Sequence, residues 1–135
     1  MNKSPLSPTP LSLAIGGLLA MAAAIGIGRF VYTPILPPMV EALGLTKSQA
    51  GIIASANFAG YFAGALLAAV RLPGSRRAWL IGALLVNAAA LAAMGLVSSM
   101  LALSVLRFVA GVVSAVGLIF SSALVLERLT AAGRG

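Results

Sequence analysis

From Leu11 to Gly28 the chain carries no charged residue, and extending the run to Tyr32 gives 22 residues, which as a helix rising about 1.5 Å per residue reaches roughly 33 Å. That length matches the hydrocarbon core of a bilayer. A backbone placed in lipid must satisfy its own polar groups, so at these lengths only helices or a closed barrel are possible. Arg29, near the far end of the run, and the prolines Pro34, Pro37 and Pro38 beyond it mark where this first span, residues 11–32, leaves the membrane. A cleaved signal peptide would end near the small residues Ala20-Met21-Ala22. Here the apolar run continues through Ile25, Ile27, Phe30 and Val31, which suits a span better.

The same length scale recurs at residues 48–70, 78–97 and 101–125. With 61% hydrophobic residues, 8% charged residues and a mean hydropathy of +1.10, the chain has too few polar side chains to cover a water-soluble domain of this size. The expected fold is therefore all-α, an integral membrane bundle of four transmembrane helices and hence a partner of the lipid bilayer. Residues 1–10 form an amino-terminal tail, 33–47 an exit loop, 71–77 a tight connection with a Pro73-Gly74 turn signal, and 126–135 a carboxy-terminal tail. Thr46 followed by Gln49 is a capping-box pattern that starts the second span.

Charge placement sets an expected orientation. Lys3, Arg71, Arg76, Arg77, Arg128 and Arg134 fall on one side of the four spans and only Lys47 on the other, which puts both termini in the cytoplasm and the chain in the cytoplasmic (inner) membrane. The net charge of +7 does not point to nucleic acid, because the basic residues are scattered among membrane-length apolar runs rather than gathered on a reading face. There is no cysteine and no histidine, and Glu41 and Glu127 are the only acids. That leaves no metal cluster, cofactor signature or general-base pair, so an enzyme is not expected.

The polar residues inside the spans are the candidate functional groups. Arg107 lies six residues into the fourth span, where a charge costs on the order of 3 kcal/mol at the membrane centre and should face protein or water. Arg29 lies at comparable depth in the first span, where it either snorkels to headgroups beside Tyr32 or faces a substrate cavity with Arg107. No carboxylate lies inside any span. Backbone carbonyls, an anionic substrate or residues beyond this chain are left to face the two cations. Asn57 and Tyr61 share one face of the second span, and Asn87 lies near the middle of the third. Such side chains serve as interhelical glue, worth about 1 kcal/mol each, or as polar contacts in a binding cavity. Small residues at Gly16, Ala20, Ala24 and Gly28, and at Ala56, Gly60, Gly64 and Ala68, make strips on which another helix backbone can approach closely.

Residues 26–69, GIGRFVYTPILPPMVEALGLTKSQAGIIASANFAGYFAGALLAA, resemble the first two spans of major facilitator superfamily transporters, and in particular the YbfB/YjiJ-like branch with its G-x-G-R-F-x-Y-T-P-x-L-P exit. Arg107 and Gly111, in RFVAGVVSA, resemble the superfamily's fourth-helix R-x-x-x-G motif. The resemblance implies an arginine near the substrate cavity with a link to proton coupling. In the connection after the second span, Gly74, Arg76 and Arg77 match part of the family's gate motif, while its acidic residue is missing and Arg71 stands near that place. Family members have twelve spans in two halves, so the resemblance implies secondary transport of a small solute, an anion being the class the arginines suit. It also makes this chain read as an amino-terminal portion, a fragment or truncated product that does not transport alone and lacks its carboxy-terminal partner helices.

Two other readings fit four spans. A small multidrug exporter acting as a dimer has the right length but needs a carboxylate in its first helix, where this chain offers arginine. A non-transporting membrane scaffold, homo-oligomeric or packed on another protein through its small-residue strips, would keep Arg29 and Arg107 sealed from water.

Overall fold

The computed structural model describes residues 9–23, 26 and 32–133, which form five helices. They are α1 (Pro10–Met21), α2 (Tyr32–Leu43), α3 (Lys47–Ala69), α4 (Arg76–Met94) and α5 (Met100–Gly133). The helix starts follow local chemistry. Thr9 caps α1 by accepting from the Ser12 amide at 3.2 Å, with Pro10 in the first turn where its missing N–H costs nothing. At α3 the expected capping box forms, with the Gln49 amide donating to Thr46 Oγ1 at 3.1 Å and the Thr46 amide donating to Gln49 Oε1 at 2.9 Å. Ser75 caps α4 by accepting from the Ala78 amide at 3.1 Å.

Three helices among the described residues are long and apolar enough to cross a membrane: α3, α4, and α5 over Met100–Ala131. Of the expected first span, the structure describes a shorter apolar helix, Pro10–Met21. Four spanning helices are therefore not seen. Arg29, Gly28 and Ala24, together with Lys3 and Arg134, lie outside the described residues.

Two segments differ from their sequence reading. Residues 33–47, expected as a loop, contain α2, which carries Pro37 and Pro38 inside it. The prolines deprive the Thr33 and Pro34 carbonyls of intrahelical donors. Both residues are exposed, so those carbonyls remain open to other donors. The helix survives because Leu36, Met39 and Leu43 recur on one face and pack against Ile53 and Leu103. The second difference is at the other end, where α5 continues without a break past residue 125 to Gly133. Its 34 residues correspond to about 51 Å of helix, well beyond one membrane thickness.

α5 is the hub of the bundle. α1, α3 and α4 each pack on it, α2 packs on α3, and among the described residues the backbones of α3 and α4 do not come close to each other. Two apolar cores lie along the bundle. Ile53 and Leu103 centre the one under α2, while Ala83, Val116 and Phe120, with Trp79 and Leu72 beside them, form the one near the α3–α4 connection. Asn57, Asn87, Arg107 and Ser114 are all buried between these cores.

Candidate functional site

The polar layer is built on a close contact between α3 and α5. A Cβ added to Gly60 would meet the Phe108 carbonyl, with the carbonyl carbon at 2.8 Å, and one added to Gly64 would meet the Val112 carbonyl, with Val112 Cα at 2.8 Å. From the facing side, a Cβ on Gly111 would run into the Asn57 carbonyl and lie 2.8 Å from the Tyr61 backbone nitrogen. Only a hydrogen fits at these three positions, and without them the two backbones could not approach. Gly16 behaves differently. An added Cβ there would meet nothing within 4 Å, and the close approach of α1 to α5 falls instead at Gly17, against Val125.

That proximity places Asn57 beside Arg107. Asn57 is 4% exposed, and its Nδ2 donates to the Arg107 backbone carbonyl at 3.0 Å. The bond ties α3 to α5 one helical turn before the Gly111 contact. Tyr61, one turn along α3 from Asn57, is half-buried. Asn87 on α4 and Ser114 on α5 are buried at 4% and 3% exposure, and neither Asn87 Oδ1 nor Ser114 Oγ has a hydrogen-bond partner among the described residues. Oxygens left so in an apolar interior favour a water, a ligand or a further polar helix as partner.

Arg107 is 2% exposed and lines a cavity of about 370 Å³. Ile35, Met39 and Leu43 of α2 and Leu91 and Met94 of α4 supply much of the remaining wall, which makes the arginine the one charged group facing it among the described lining residues. An apolar cavity with a single cation in its wall is suited to hold a small molecule that carries a negative group and an apolar body. The proline-rich segment hid the α2 contribution from sequence reasoning. Its signal was present in the helical spacing of Ile35, Met39 and Leu43.

The basic connection between α3 and α4 is a separate feature. Gly74 has φ +91°, a conformation that side chains rarely adopt, and the Trp79 indole Nε1 donates to the Pro73 carbonyl at 2.7 Å, pinning the turn to the first turn of α4. Arg76 pairs with Glu127 of α5. Both side chains are about half exposed, so the pair adds little stability and mainly sets the connection against the end of α5. Arg71 and Arg77 are exposed and do not join the Arg107 cavity.

A family model described as "Uncharacterised MFS-type transporter YbfB" matches residues 21–135. No curated protein and no solved structure matches the chain.

Proposed function

The chain belongs to the MFS-type transporter family of YbfB, and from that membership we propose that it carries part of the solute pathway of a secondary transporter, with Arg107 as the anion-recognising group. The observation that carries the reading is the near-complete burial of Arg107 in the wall of an otherwise apolar cavity. A guanidinium held there favours a negative group on the solute, and the surrounding aliphatic wall favours a small apolar body. In the full cycle this helical unit rocks against further helices, so that the cavity opens to one side of the membrane and then the other. Coupling to protons is the expectation for such transporters. The reading sets the arginine-rich connection in the cytoplasm and residues 11–32 as a further span, the first in chain order. The partner helices come from the rest of a longer transporter or from another copy.

Thermal unfolding of the detergent-solubilised chain tests this with a panel of small carboxylates, organic phosphates, amines and neutral sugars. A ligand at a hundredfold its dissociation constant stabilises by about 2.7 kcal/mol. Stabilisation by anions is expected, lost in Arg107→Gln and partly kept in Arg107→Lys. Stabilisation by amines or sugars that persists in Arg107→Gln would overturn the assignment.

A further inference from the structure

Because α3 and α4 each rest on α5 with their backbones apart among the described residues, a groove runs between them, floored by Val112, Val113 and Val116. Its volume is about 400 Å³, Leu67 stands on one wall and Ala83 and Val86 on the other, and the turn at Pro73 and Gly74 closes one end. Trp79 and Gly74 also line a second cavity of about 330 Å³, and Arg71 and Arg76 are part of its wall. An apolar slot thus adjoins a basic pocket at the end of a membrane-spanning helix pair.

The dimensions decide what fits. From Ala78 to Val86, α4 rises about 12 Å. The groove volume of about 400 Å³ spread over that length leaves a cross-section of roughly 33 Å², enough for an extended hydrocarbon chain lying along α4. Charge decides the head. Arg71, Arg76 and Arg77 cluster at this end, with Glu127 paired to Arg76 as the nearby acid, so positive charge is in excess where lipid phosphates lie.

We propose that the groove and the adjoining arginine pocket form a site for one anionic phospholipid, its acyl chain lying on Val112, Val113 and Val116 and its phosphate on Arg71 and Arg76. Arg71 supplies the less encumbered charge, Arg76 being shared with Glu127. Trp79 separates head from chain.

Trp79 is the only tryptophan in the chain, so its fluorescence reports on the site directly. The chain is reconstituted in phosphatidylcholine vesicles containing either phosphatidylglycerol or phosphatidylcholine brominated at mid-chain. One basic residue at an anionic surface raises affinity about fivefold. The brominated anionic lipid should therefore quench Trp79 at a five- to twenty-five-fold lower mole fraction than the brominated zwitterionic lipid. Arg71→Gln combined with Arg76→Gln should bring that ratio to about one. Gly82 lines the groove, and a Cβ added there would meet nothing within 4 Å, so Gly82→Leu starts a side chain into the slot from open space and should reduce quenching by both lipids. Equal quenching by the two lipids in the unsubstituted chain, or a preference that survives loss of both arginines, refutes the proposal. So does absence of quenching by either lipid, the result expected if a second copy of the chain covers the groove.

Discussion

Replacing Gly111 by alanine drives a methyl group into the backbone of α3. The new Cβ would lie 2.8 Å from the Tyr61 nitrogen and 3.1 Å from the Asn57 carbonyl carbon, with the Asn57 oxygen nearer still. Non-bonded carbons rest at about 3.5 Å or more, so α3 has to retreat by roughly 1 Å. A gap of that size forfeits up to about half of each dispersion contact along the interface, and overpacking of this kind costs about 1 to 3 kcal/mol. The same movement stretches the bond from Asn57 Nδ2 to the Arg107 carbonyl, now 3.0 Å, beyond hydrogen-bonding range, for roughly 1 kcal/mol more. Alanine returns up to about 1 kcal/mol through its better helix propensity, leaving a net loss of about 1 to 3 kcal/mol. Gly82→Ala is the control, since its Cβ meets open space and only the propensity gain remains. Equilibrium unfolding in mixed micelles titrated with dodecyl sulfate, followed by circular dichroism and Trp79 emission, measures both variants. If Gly111→Ala is as stable as the parent or gains as much as Gly82→Ala, the close-contact reasoning is wrong. The cycle with Asn57→Ala adds a second check: the two losses should be less than additive, because both act through one contact.

Gly74→Ala forces a methyl-bearing residue to φ +91°, which costs about 1 to 2 kcal/mol; the measurable companion is a red shift of Trp79 emission as the indole loses the Pro73 carbonyl. Gly17→Leu should detach α1 from Val125, whereas Gly16→Leu has open space to occupy; a cysteine pair placed across the α1–α5 contact should cross-link in the second variant and not in the first.

The membrane class, the helical architecture and the starts of α3 and α4 are legible in the chain because they rest on local signals: apolar length, capping residues and the turn at Pro73 and Gly74. Long-range facts are less so. The spacing of Gly60 and Gly64 is visible in the sequence, but their contact with the carbonyls of Phe108 and Val112 depends on how far α3 slides along α5. Gly16 and Gly17 differ by about 100° around a helix, and no local signal says which one faces α5. α2 was concealed for another reason. Pro34, Pro37 and Pro38 read as a loop by backbone rules, and only packing against Ile53 and Leu103 reveals the face that keeps the segment helical. The partner of Asn57 is fifty residues away, out of reach of any local pattern.

The central position of α5 also bears on how such a chain is made. α1, α3 and α4 precede α5 in sequence, and among the described residues the backbones of α3 and α4 approach α5 but not each other. During synthesis these earlier helices enter the bilayer as separate pieces, with the Asn57 amide facing lipid or water until the Arg107 carbonyl arrives. Packing of these helices thus waits for α5. A chain cut short before Met100 keeps α3 and α4, each long and apolar enough to insert, but lacks the surface on which both of them pack.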